Sequence, residues 1–192
     1  MARILFVSLS LPLLTACTGL GGPGLVDLYD RAKPDGIIEI EADRNGTIHE
    51  MEADIPIADL PPAIRDAALA MKPGGTITGA ERELKSAGPG WEVKLTHEGR
   101  AWEIVMDDAG NVLETEKELR RDEAPAAVLS AADAAIPGGT FKSIERIEHG
   151  TGVEYHVKKM RDGASYKIVL DEAGHVMRKA REARAEIEIP LR

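Results

Sequence analysis

The residues that most often perform chemistry are few in this chain, and their spacing does not assemble them. The five histidines, His49, His97, His149, His156 and His175, show no HExxH and no other tight metal-ligand spacing. They read as solvated surface residues. The single cysteine, Cys17, permits neither an intramolecular disulfide nor a thiolate zinc set. Ser130 and Ser165 lack the GxSxG setting of an activated nucleophile. Asp43-Arg44-Asn45-Gly46 begins like a calcium loop, but the EF-hand pattern and its closing bidentate glutamate are missing, so turn chemistry explains it better. Carboxylates are plentiful, and abundance alone does not make a glycosidase pair. The expectation is a protein that is not an enzyme, with no catalytic residues, no metal centre and no cofactor.

Composition narrows the partners. The chain has 192 residues, with 24 Lys+Arg against 33 Asp+Glu and a formal charge of −9. Nucleic-acid binding needs a basic patch, so a nucleic-acid partner is not expected. Hydrophobic residues at 43% and charged residues at 30% suit one or two small globular domains. The acidic surplus could draw a basic partner or serve solubility alone.

The N-terminus reads as an address. Arg3 supplies a minimal positive region, and Ile4 to Leu14 form an apolar run shorter than the roughly 20 residues a spanning helix needs. Leu14-Thr15-Ala16-Cys17 resembles the lipobox of bacterial lipoproteins. The resemblance implies cleavage before Cys17 and lipid attachment there. Several acyl chains would hold the protein stably on a membrane. Cleavage removes one charged residue, Arg3, and takes the formal charge from −9 to −10. Thr18 follows the lipid site rather than Asp, which in lipoproteins implies an outer-membrane destination facing the periplasm. Residues 17–36 then read as the lipidated terminus and a flexible tether, opening with Thr18-Gly19-Leu20-Gly21-Gly22-Pro23-Gly24.

The remainder is repetitive. Pro73-Gly74-Gly75-Thr76 recurs 64 residues later as Pro137-Gly138-Gly139-Thr140. Without a gap, 22 of the 59 pairs from Pro61/Pro125 to Leu119/Ala183 are identical. Aromatic character is kept as well, Trp91 onto Tyr155 and Trp102 onto Tyr166. Run backwards, the offset finds a partial copy through Ile40, Asp43, Gly46 and Ile48. The expected organisation is a signal at 1–16, a tether at 17–36, a partial-repeat hairpin at 37–58, a first repeat at 59–122 and a second with a C-terminal extension at 123–192.

Each repeat opens with a helix signal. Ile64, Ala67, Ala68 and Met71 fall on one stripe, repeated by Val128, Ala131, Ala132 and Ala135. Pro61 and Pro125 suit helix starts, and the Pro-Gly-Gly runs stop the helices. Strand-like runs follow near 76–85, 91–97, 101–107 and 111–119. Glu98-Gly99 and Asp162-Gly163 signal hairpin turns. A turn centred there sets Leu95 against Trp102, Val93 against Ile104 and Trp91 against Met106 on one face. The expected fold class is α+β: two tandem repeats, each a short helix on a four-stranded antiparallel sheet, preceded by a hairpin. The C-terminal alternation of Ile187, Ile189 and Leu191 could cap an edge strand.

Aromatics are scarce, at 4%. Yet Trp91, Trp102, Tyr155 and Tyr166 share equivalent places on one hairpin face. They form either a recognition surface, where such residues concentrate, or core beneath the helix, the ordinary place for large apolar side chains. The charge runs 114–118 and 178–182 read as solvated faces or edge strands.

The pattern Gly88-x-x-Trp91-x-Val93, with Gly99-x-x-Trp102-x-Ile104-x-x-Asp107-x-x-Gly110-x-Val112 and their counterparts from Gly152 and Gly163, resembles the PepSY-like family, also described as β-lactamase-inhibitor-like. The resemblance covers residues 37–183. It implies a non-enzymatic module of the cell envelope that binds a protein and regulates it, a peptidase being one such partner. Inhibition of a β-lactamase does not carry over, because the disulfides of the secreted inhibitor are missing. The alternatives are a structural or assembly lipoprotein of the outer membrane, or a carrier of small ligands or cations.

Overall fold

The computed structural model describes residue 28, residues 30–85 and residues 88–183. The signal, Cys17, the glycine-rich start of the tether and the Ile187/Ile189/Leu191 alternation lie outside the described residues. Among those described, the chain runs through β1 (Ile38–Ala42), β2 (Ile48–Asp54), α1 (Pro62–Met71), β3 (Thr76–Lys85), β4 (Gly88–His97), β5 (Arg100–Asp107) and β6 (Val112–Glu118). It continues with α2 (Ala126–Ala135), β7 (Thr140–His149), β8 (Gly152–Arg161), β9 (Ala164–Asp171) and β10 (Val176–Arg181).

All ten strands form one antiparallel sheet in the order of the chain. This corrects the expected α+β arrangement of two helix-on-four-strand units beside a hairpin. Pairing runs on from β2 to β3, Glu50 opposite Lys85 through Asp54 opposite Glu81. It runs on again from β6 to β7, Glu114 opposite His149 through Glu118 opposite Glu145. The reason is the cost of an edge. Separate four-stranded sheets would each leave rows of backbone N–H and C=O unpaired, and joining the repeats edge to edge satisfies them. The helices are short interruptions on one face of a mostly β half-barrel.

Local signals explain the elements. Glu98 and Gly99 have φ of +50° and +72°, and Asp162 and Gly163 have +51° and +76°. Two successive positive φ values are what a two-residue hairpin with the right twist requires. The resulting register pairs Trp91 with Met106, Val93 with Ile104 and Leu95 with Trp102. Pro61 caps α1, with Pro62 in the first turn where a missing N–H costs nothing. Both helices lie on the outer face of the sheet. α1 buries Ile64 and Ala68 against Ala80, Val93, Leu95, Ile104 and Met106. α2 buries Val128 and Ala132 against Ile144, Tyr155, Val157, Ile168 and Leu170. Met51, Ala53 and Leu84 form a smaller third cluster with Leu28.

The two copies of the β-turn under the helices differ in tightness. Gly110 and Gly174 have nearly the same φ, +83° and +84°. A Cβ on Gly110 would meet nothing closer than 3.8 Å, whereas one on Gly174 would stand 2.7 Å from the carbonyl oxygen of Ala127 in α2. Gly110→Ala should therefore cost only the positive-φ penalty, about 1 kcal/mol. Gly174→Ala should cost about 2 kcal/mol more, because α2 must shift off the sheet. Urea midpoints of the two variants test this, and equal losses would sink it.

Candidate functional site: a charged inner face

The strand period places a second set of side chains opposite the helices. Following the registers, Glu50 and Glu52 (β2), Glu81 and Glu83 (β3), Glu92 and Lys94 (β4) share this face with Glu103 (β5) and Glu114 and Glu116 (β6). It continues with Glu145, His156, Lys158 and Lys167, and ends at Arg178 on β10. The sheet curls toward this face. Glu41 on β1 accepts a hydrogen bond of 3.1 Å from Lys167 Nζ on β9 and another from Arg178 on β10. The first and last strands thus meet through side chains across the inner surface.

Curling buries much of what it lines. Glu83 is 0% exposed and Glu92 4%, beside Val105, Ile147 and Val169, also buried. Among the described residues, neither oxygen of Glu83 has a hydrogen-bond partner, nor has Oε1 of Glu92. Lys85 Nζ stands 3.2 Å from Glu83, outside hydrogen-bond alignment, and 2.9 Å from Glu50. Gly90 faces Glu83 across the ladder, and a Cβ there would come within 3.2 Å of its Oε2, so glycine makes the room this carboxylate occupies.

The electrostatics follow from burial among like charges. Burial first, then the neighbouring Glu50, Glu83 and Glu81, pushes Glu52 up to about 9. Burial pushes Glu83 up to about 7, with Lys85 opposing. Glu116 rises to about 9 through burial and then Glu103 and Glu114. Glu92 rises well above the usual carboxylate range for the same reasons, and Glu103 rises too. At the other edge the sign reverses. Burial alone would raise Glu41, but Arg178 and Lys167 outweigh it and hold it near 2. Burial, then the charges of Lys167 and Arg178, lowers His156 to about 3, so its imidazole is neutral.

The duplication divides this face by charge. At the 64-residue offset, Glu92, Glu103 and Glu114 of the first repeat become His156, Lys167 and Arg178 of the second. The first half of the inner surface is strongly acidic, and the second sets Lys158, Lys167 and Arg178 among Glu145 and Glu154. This surface was missed in the sequence, where 114–118 and 178–182 read as solvated or edge segments. Glu114 and Glu116 in fact face inward, half-buried, while β10 is exposed along its length.

The four aromatic residues do not form one surface. Trp91 and Tyr155 are buried in the two helix-side cores, and Trp102 and Tyr166 are partly buried against them. Trp91 Nε1 donates to Asp108 Oδ1 at 2.8 Å, and Arg82 donates to the same carboxylate while lying 4.3 Å over the indole. Trp102 carries Lys72 at 3.2 Å from its ring centre and Lys117 at 5.4 Å. Among the histidines, His49 on β2 sits beside Asp43, and His175, in the β9–β10 connection, sits beside Asp171. His97 lies at the end of β4, near Glu98. His149 accepts from Thr151 Oγ1 through Nδ1 at 2.7 Å when its Nε2 carries the proton toward Glu154, 3.3 Å away. His149, opposite Glu114, shares the inner face with His156, which is the more deeply buried of the two.

Among the described residues, a single curled antiparallel sheet with the short helices α1 and α2 on its outer face defines a BLIP-like architecture. The chain superposes on a BLIP-like protein from Bacteroides fragilis with a TM-score of 0.52 and 25% identity, over 68% of this chain and 93% of that one. A DUF2874 family protein from Bacteroides uniformis matches with a TM-score of 0.53 and 17% identity, over 63% and 88%. A Bacteroides eggerthii protein, provisionally described as periplasmic, matches with a TM-score of 0.54 and 16% identity, over 63% and 88%. No family model matches the chain, and no curated protein matches it.

Proposed function

We propose that the protein is a non-enzymatic module of the bacterial cell envelope, anchored by lipid at Cys17, that works by binding a protein partner. The observation that carries this reading is the fold. A BLIP-like sheet spans most of the chain and 93% of a BLIP-like protein at 25% identity. The lipobox-like Leu14-Thr15-Ala16-Cys17 supports the anchor. The fold neighbour described as periplasmic supports the compartment. The PepSY-like motifs support a regulatory role, with a peptidase as one class of partner. On this reading Trp102 and Tyr166, half-buried at the rim of each core, are the aromatic residues within a partner's reach, and Trp91 and Tyr155 are structural.

Two measurements test the reading. Mass spectrometry of the native protein should find a mature chain beginning at acylated Cys17; a mature chain starting elsewhere, or one without lipid, refutes the anchor. Cross-linking in intact envelopes should capture a protein that a Cys17→Ser secreted control captures at least several-fold less. Equal recovery from both would argue against an anchored binding module.

A further inference from the structure

We propose that Glu92, Glu103 and Glu116 form a binding site for a hard divalent cation, calcium or magnesium, on the inner face of the sheet. The three carboxylates come from adjacent strands β4, β5 and β6. Glu103 stands directly opposite Glu116, and Glu92 lies one diagonal step away. One oxygen of each lies within 4.8 Å of the others. That is the spacing three ligands of one ion require, and like charges set opposite each other are otherwise repulsive.

Two further observations single out this cluster. Glu92 is 4% exposed, and its Oε1 receives no hydrogen bond among the described residues. The cation nearest to it, Lys94 Nζ, is 3.4 Å away and hydrogen-bonded instead to Glu81 at 2.5 Å. Lys94, committed to Glu81, thus offers Glu92 a charge at 3.4 Å but no hydrogen bond at Oε1; a buried polar atom left in that state is costly, and an ion at the centre of the cluster would coordinate it. In addition, a cavity of about 230 Å³ opens on Glu103 and Glu116, walled also by Glu118, Glu145 and Trp102. It gives an ion a way in and gives water the remaining coordination positions. All three protein ligands are carboxylate oxygens, which favours hard cations over softer metals. The second repeat has His156, Lys167 and Ala180 at the equivalent positions, so the duplication does not supply a second copy of the site. The proposal stands apart from the envelope function, and either can fail alone.

Isothermal titration of the purified full chain, freed of metal by chelator, tests it with calcium chloride, then magnesium chloride, then zinc chloride. One saturable site per chain is expected, with a calcium-dependent rise in Tm. Glu92→Gln and Glu103→Gln should each weaken binding at least tenfold and abolish that rise. The amides are close in size to the carboxylates and relieve like-charge crowding, so the variants should keep their circular dichroism and their metal-free Tm. Absence of saturable binding up to about 10 mM of calcium or magnesium overturns the proposal. So does binding that both variants leave unchanged. Binding confined to zinc and lost in His156→Gln would also overturn it, moving the site to Glu116, Glu145 and His156.

Discussion

Replacing Asp133 with alanine should destabilise the protein by about 3 kcal/mol, while Lys159→Leu should change stability by less than about 1 kcal/mol. Lys159 is wholly buried on the helix side of the sheet, 0% exposed. Its ammonium group donates to Asp133 Oδ1 on α2 and lies 4.6 Å over the ring of Phe141. The aspartate side chain is half exposed, at 50%. The two partners are therefore unequal. Without Asp133, an ammonium group remains in the core with only an aromatic face beside it. Without Lys159, a carboxylate remains that water already reaches and that has Arg121 at 3.7 Å. The first repeat shows what the site tolerates, because Leu69 and Leu95 stand where the second has Asp133 and Lys159. The double variant with leucine at both positions should recover most of the loss. Urea unfolding of the two single variants and the double completes the cycle. Equal costs for the two single changes would mean that the pair is not buried as described.

Stability should be greatest near pH 4 to 5 and fall as the solution is made alkaline, which is unusual for an acidic protein. Glu52 and Glu83 titrate near 9 and 7 in the folded chain, against an ordinary value of about 4.3. Between those limits the folded state holds more protons than the unfolded one, so stability declines with rising pH. Each group costs up to about 1.4 kcal/mol per pH unit inside its own window. Because the carboxylates are coupled, a combined loss on the order of 2 kcal/mol from pH 5 to pH 8 is a fair expectation. Glu41 acts in the opposite sense. Held near 2 by Arg178 and Lys167, it stabilises the fold above pH 4.5, and that contribution disappears as pH falls toward 2. Allowing for partial exposure, it is worth about 1 kcal/mol. Urea midpoints in chelator at pH 3, 5, 7 and 8.5 trace the curve, and Glu52→Gln should flatten its alkaline side. A midpoint that rises steadily from pH 5 to 8.5 would be incompatible with carboxylates held protonated.

Much of the local fold is legible in the residues. The Glu98-Gly99 and Asp162-Gly163 turns, the prolines before the helices and the Pro-Gly-Gly runs after them are all short-range signals. They place α1, α2 and the β4–β5 register where the structure has them. What joins the repeats into one sheet is not short-range. The β2–β3 and β6–β7 pairings each span a helix, and the backbone edges that drive them carry no side-chain signature. The same reasoning explains the inner face. The alternation that sets Trp91, Val93 and Leu95 on one side of β4 also sets Glu92 and Lys94 on the other, opposite Val105 and Glu103. That pattern is present in the sequence, and charges on a strand ordinarily mean solvent. Only the curl of ten strands turns that side into an interior. Its closing contacts, Glu41 with Lys167 and Arg178, lie 126 and 137 residues apart.

Strand order has a consequence for how the molecule forms. Because neighbours in the sheet are neighbours in the chain, every ladder can close from a hairpin or from one strand–helix–strand segment. Contact order, which ordinarily slows all-β proteins, is correspondingly low. The sheet can grow like a zipper from either repeat, each new strand finding its template already in place. The contacts from Glu41 to the far edge are the step with the longest loop to close. They join the two ends of the finished ribbon, after the topology has been decided, and determine how tightly it is rolled.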